Sequence, residues 1–189
     1  MTTTPTTPST LSELTGTWTI DASHTRIGFV ARHAMVTKVR GAFNEFEGTA
    51  VVDGNDLSAS KVEVTIQAAS IDTRNEQRDG HLRSNDFLAM DEYPTITFAS
   101  TGVRPTGPTS LELVGDLTIK GVTQSVAIPF EFEGAATDPF GNLRAGFEGQ
   151  ATINRKDYGI TWNAALETGG VLVGEKIVLE FEVSAIKNA

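Results

Sequence analysis

Hydrophobic and polar residues alternate along most of this chain. In the run Lys61 to Ala68, Val62, Val64, Ile66 and Ala68 share one face and polar residues fill the other. The same period of two returns at Trp18 and Ile20, at Ile27, Phe29 and Ala31, and at Ile96, Phe98 and Ser100. It continues at Val126, Ile128, Phe130 and Phe132, at Ala145 through Ile153, and at Ile177 through Ala185. A two-residue period predicts strands, and one apolar face against one polar face predicts antiparallel sheet wetted on one side. Asp53-Gly54 and Lys120-Gly121 have the chemistry of hairpin turns, and Gly134 with the Asp138 to Asn142 segment marks a longer loop. Residues 75–90 lack alternation and carry helix formers, which predicts one short helix. Residues 157–174, with four glycines, read as irregular or as strand with bulges.

Eight or more strands with little helix make a sandwich or a closed barrel. Small residues on the apolar faces (Gly48, Ala68, Ala145, Gly149 and Ala151) beside large ones favour an all-β barrel of roughly eight antiparallel strands with a narrow lumen for one ligand. The length of 189 residues suits a single domain of this kind. Ten Phe stand against two Trp and two Tyr, and Phe, lacking a polar handle, suits a dry interior.

Charge and punctuation narrow the function classes. A net charge of −9 argues against nucleic acid and against docking on anionic membranes through a polybasic patch. No apolar run approaches the roughly 18 residues of a membrane-spanning helix, so stable membrane insertion is not expected. With no cysteine, disulfides, thiolate metal sites and Cys nucleophiles drop out together. Residues 1–15, rich in Thr and Pro, have neither the basic nor the apolar part of a secretory signal and read as a disordered tail. Residues 16–189 then form the domain, and a cytoplasmic location is expected.

The ionisable residues concentrate in Arg78-Asp79-Gly80-His81-Leu82-Arg83-Ser84-Asn85-Asp86-Phe87, leading into Tyr93-Pro94-Thr95-Ile96-Thr97-Phe98. Before it come Trp18-x-x-Asp21-x-x-His24-Thr25, Phe29, His33 and Gly41-x-Phe43-x-x-Phe46-x-Gly48. After it come Gly115-x-Leu117-Thr118-Ile119-Lys120-Gly121-Val122-Thr123 and Asn154-Arg155-x-Asp157-Tyr158-Gly159. In this order and spacing the chain, from Gly16 onward, resembles the YceI-like family of polyisoprenoid-binding proteins. The resemblance implies an extended, lipocalin-like antiparallel barrel whose apolar tunnel holds a polyprenyl lipid or a quinone tail. Many members of that family carry a signal sequence, from which this chain departs.

By that analogy, the lumen face is expected to comprise Phe29, Phe43, Phe46, Val64, Ile66, Phe98, Ile119, Phe130, Phe147 and Ile153, each contributing to ligand binding. His24, Arg78 and His81 are the candidates for a polar mouth or lid. For His24 the plainer reading is a turn residue whose ring is held by Asp21 or Thr25. For the 78–88 segment it is a clasp of Arg78, Asp79, His81 and Asp86 pinning a helix over one barrel end, with Leu82, Phe87 and Leu88 beneath. Arg155 and Asp157 read as a structural ion pair. His24, His33 and His81 lack zinc-ligand spacing, and no nucleophile or phosphate-loop motif is present. No catalytic residue, metal or cofactor is therefore expected beyond the bound lipid. Three readings compete: a non-catalytic isoprenoid or quinone binder, an enzyme using His24 or His81 as general base, and a barrel acting through a protein partner. Pairing along an edge strand would give a homodimer.

Overall fold

The structure, a computed structural model, describes residues 6–189. Its strands are β1 (Gly16–Ile20), β2 (Arg26–His33), β3 (Thr37–Phe43), β4 (Phe46–Val52), β5 (Lys61–Gln67) and β6 (Ile71–Asp72). After helix α1 (Glu76–Arg83) follow β7 (Thr95–Pro105), β8 (Ser110–Ile119), β9 (Val122–Thr137), β10 (Leu143–Asn154) and β11 (Val173–Lys187). Eight of them, β1-β4-β5-β7-β8-β9-β10-β11, form a ring closed by β1 against β11. The other three prolong this ring. β2 continues β1 past a 3-10 turn at Ala22–His24, β3 runs into β4, and β6 continues β5. The result is a closed, up-and-down, eight-stranded antiparallel barrel with one short α-helix.

Two turns differ from their sequence reading. Lys120 and Gly121 have φ of 52° and 73°, the left-handed pair a tight hairpin requires. Asp53-Gly54 instead opens a wider loop through residues 53–60, where the Asp53 carboxylate accepts from the backbone N–H groups of Asn55 and Asp56. Gly134 lies inside β9 opposite Gly146, beside a register shift. It marks an irregularity in the strand, and the loop begins only at Asp138.

The two barrel ends are closed by different parts of the chain. At the first end, Leu11 and Leu14 are 3% and 2% exposed and pack with Trp18, Phe132, Ala145 and Ala185. The Leu14 carbonyl accepts from the Trp18 indole N–H at 2.9 Å. The reading of residues 1–15 as a disordered tail is thereby corrected for residues 10–15, because two leucines three apart cover the barrel mouth. Residues 1–5 lie outside the described residues. At the second end sit α1, the turns that follow it, and residues 155–172.

Inward side chains are apolar, while outward positions carry Lys61, Glu63, Thr65 and Gln67 on β5 and Glu148, Gln150 and Thr152 on β10. This is the reverse of a membrane-spanning barrel, whose apolar band faces out. Among the described residues no helix is long and apolar enough to cross a membrane.

Candidate functional site: an apolar lumen

Because inward positions repeat every second residue on all eight rows, the barrel axis is walled by hydrocarbon. The cavity has a volume of about 330 Å³. Its wall runs from Leu11, Leu14 and Trp18 at the first end to Ile71, Leu82, Phe87 and Ile160 at the second. Nine of the ten expected lumen residues, Phe29, Phe43, Val64, Ile66, Phe98, Ile119, Phe130, Phe147 and Ile153, stand in that wall. Phe46 does not. It packs against the surrounding core without reaching the cavity.

The small inward residues leave space that their large apolar neighbours occupy. A Cβ on Gly149 would meet the Phe130 ring at 2.5 Å, and one on Gly48 would meet the Ile20 side chain at 2.5 Å. Gly41 and Gly115 lie in the same way beneath Phe29 and Phe98. Glycine here lets a large neighbour lie flat on the wall, so the rings line the lumen instead of blocking it. Phe29–Phe43 and Phe130–Phe181 add tilted contacts with ring centroids 5.8 Å apart, a favourable arrangement for aromatic pairs.

The second end is held by polar groups aimed at backbone. Arg78 donates through Nε to the Thr73 hydroxyl and through Nη2 to the Thr73 carbonyl, each at 2.7 Å. The buried Asp79 accepts from the Thr73 backbone N–H at 2.9 Å and from its hydroxyl. Arg83 donates to the carbonyls of Ala69 and Ile71. His81 bonds Asp86 at 2.8 Å, its ring edge-on to Phe87 and Trp162. This is the clasp geometry: Leu82, Phe87 and Leu88 face the cavity, and Arg78 and His81 face away from it.

His24 is not at a mouth. It projects from the 3-10 turn midway along the wall, its side chain 66% exposed, with Nδ1 2.7 Å from the Asp21 carboxylate. Asp21 also binds Arg144, whose guanidinium, with the Ser23 and His24 contacts, holds that carboxyl well below the usual range. His24, Arg78 and His81 are thus all engaged elsewhere, and the structure does not bring them together. Among the described residues no three His, Asp or Glu side chains are grouped as a metal site would need.

Residues 155–174 hold what sequence reasoning missed. Arg155, 4% exposed, makes no ion pair with Asp157. It donates instead to the carbonyls of Ile160, Trp162, Val173 and Gly174 at 2.9–3.2 Å, tying the irregular segment to β11. Burial lowers its pKa, opposed by the charge of Glu175. Beside it, β9 and β10 stop pairing after Phe130↔Gly149, one residue from Pro129, which has no N–H to give. The resulting cleft, about 290 Å³, is lined by Gln124, Thr152, Asn154, Asp157 and Tyr158. Tyr158 also borders the lumen, is 1% exposed, and its hydroxyl is the one buried side-chain polar atom without a partner among the described residues.

Burial, reinforced by Asp157, pushes the Tyr158 phenol up to about 12 from 10.0. The unfolded chain then ionises first, so the associated stability is complete below pH 10 and lost as pH rises towards 12. Tyr158→Phe is expected to raise stability near neutrality by about 1 kcal/mol, since an unsatisfied hydroxyl is removed. It is also expected to flatten the decline in melting temperature above pH 10, measured by circular dichroism against the parent protein.

Residues 18–185 match the model of the YceI-like domain. The UPF0312 protein SA2479 of Staphylococcus aureus (strain N315) is 43% identical over 169 residues, covering 89% of this chain and 95% of that one. Among solved structures, the Campylobacter jejuni YCEI protein superposes with a TM-score of 0.69 at 29% identity, covering 84% of this chain and 90% of that one. BcnA of Burkholderia cenocepacia gives 0.76 at 22% identity, over 87% and 98% of the two chains. A polyisoprenoid binding domain from Saccharophagus degradans gives 0.70 at 13%, over 90% and 98%. The last two likenesses concern the fold.

Proposed function

Since the chain belongs to the YceI-like family, we propose that it binds one long-chain isoprenoid lipid, a polyprenyl compound or a quinone tail, in the barrel lumen. The observation that carries this reading is the cavity itself, walled by hydrocarbon from one end of the barrel to the other. The polyisoprenoid binding domain of the same fold supports the choice of ligand class.

The energetics point to a carrier or reservoir used in transport, storage or stress protection. Withdrawing hydrocarbon from water is worth about 0.8 kcal/mol per CH₂, far more over a long chain than a usable affinity. The relevant competitor is a bilayer, which offers a similar apolar medium. Transfer between membrane and lumen is then near balance, which allows both loading and unloading. The enzymatic alternative needs a general base within reach of the ligand. Its two candidates, His24 and His81, both stand outside the cavity wall.

The test is organic extraction of natively expressed protein followed by mass spectrometry. Intact isoprenoid at about one equivalent supports the proposal, chemical conversion on incubation points to an enzyme, and absence of lipid points to a role through a protein partner.

A further inference from the structure

The hairpin of β2 and β3 has a charge distribution unlike the rest of the molecule. Between residues 26 and 44 the chain holds Arg26, Arg32, Lys38 and Arg40 and no acidic residue, in a protein of net charge −9. Ile27, Phe29 and Ala31 line the lumen, so alternation turns Val30 and Arg32 outward, with Lys38 and Arg40 opposite them. The register is Arg32↔Lys38 and Val30↔Arg40. Two cations therefore face each other directly across the strands, an arrangement that destabilises a hairpin. Among the described residues, Arg32, Lys38 and Arg40 make no ion pair or side-chain hydrogen bond, and the one cation of the hairpin that does, Arg26, meets Glu180 at its far end.

The tip of the same hairpin is apolar and held outward. Met35 and Val36 are 62% and 74% exposed, and Ala34 and Met35 have φ of 50° and 64°. That region is the one a tight hairpin turn requires, as at Lys120 and Gly121. Met35 lies against Gly170, next to the exposed Val171, at the barrel end that α1 and residues 155–172 cover. An apolar tip flanked by unpaired cations matches the cross-section of an anionic bilayer, with acyl chains inside a layer of phosphates.

We infer that the β2–β3 hairpin docks this end of the barrel on an anionic lipid surface, with Met35 and Val36 entering the interface and Arg32, Lys38 and Arg40 meeting the phosphates. The inference rests on the isoprenoid-binding reading for its purpose, since it places the barrel end against the medium that supplies the ligand. It departs, locally, from the expectation drawn from net charge that the protein has no basic patch for a membrane.

Flotation of the purified full chain with phosphatidylcholine vesicles, with or without phosphatidylglycerol, tests it. The protein should bind the mixed vesicles, release in high salt and ignore the neutral ones. A cation near an anionic surface strengthens binding about five-fold, so combined Arg32→Gln, Lys38→Gln and Arg40→Gln should weaken binding about a hundred-fold. Met35→Asp should weaken it as well. Lys38→Glu alone should weaken vesicle binding while raising the melting temperature, because it replaces the repulsion with an ion pair; a merely structural cation would not show that opposition. Equal binding to neutral vesicles, or mixed-vesicle binding untouched by the Gln substitutions, would overturn the proposal, as would capture of an acidic protein with no vesicle binding. Uptake of an isoprenoid from detergent micelles is the separate arm. If it persists while vesicle docking fails, only the docking inference falls; if uptake fails, the lumen reading falls first.

Discussion

Phe98→Arg is expected to yield protein with no detectable lipid on extraction, while its circular dichroism keeps the signature of a β-barrel. Phe98 is 8% exposed, sits over Gly115, and lies between Val64 on β5 and Leu117 on β8. Its replacement removes an aromatic surface from the wall and sets a guanidinium with no carboxylate beside it in a hydrocarbon tunnel. The substitution leaves the backbone pairing of β7 with β5 and β8 intact, so the barrel should still form, but stability should fall by about 4 kcal/mol. For a domain of this size that is a melting-temperature drop of about 10 °C. Phe98→Leu, which keeps an apolar wall, should retain lipid. Lipid retained by the Arg variant would remove Phe98 from the binding surface.

Deleting residues 1–14 is expected to lower the melting temperature by about 10 °C. The deletion strips Leu11 and Leu14 from the first end, together about 4 kcal/mol of burial. It also leaves the indole N–H of Trp18 without the Leu14 carbonyl and the Pro108 carbonyl without the Leu11 N–H. The cavity should then open to solvent at that end, and bound lipid should exchange faster with added vesicles. Deletion of residues 1–7 alone should be silent in both assays, since the packed leucines remain. An unchanged melting temperature after the longer deletion would show that the plug does not contribute to the fold.

The leucine plug illustrates where local reading stops. Leu11 and Leu14 stand among Thr, Ser and Pro, with no periodic neighbours, and a segment of that composition reads as solvated. They are buried because the barrel mouth, assembled from strands far away in the chain, offers them an apolar surface. Arg155 is a similar case. An Arg two residues from an Asp reads as an ion pair, yet the 3-10 turn at Arg155–Tyr158 directs the guanidinium to four carbonyls of residues that follow. Phe46 has the right alternation and still misses the cavity, because parity selects a face and says nothing of depth along it.

The alternation of side chains settled by itself that the chain folds as antiparallel sheet with one apolar face, because a period of two is a property of each strand alone. The ordered motifs around Arg78, His81 and Arg155 marked the family, and with that resemblance to choose the inward face, nine of the ten residues assigned to the lumen stand in its wall. What only the tertiary structure decided depends on which strands meet and in what register. Closure of β1 on β11 turned an apolar face into a lumen. Bonds to Thr73, Ala69 and Ile71 tied Arg78, Asp79 and Arg83 to the chain that leads into the helix. The pairing of β2 with β3 set Arg32 opposite Lys38, an electrostatic cost that becomes visible only when the two strands lie side by side.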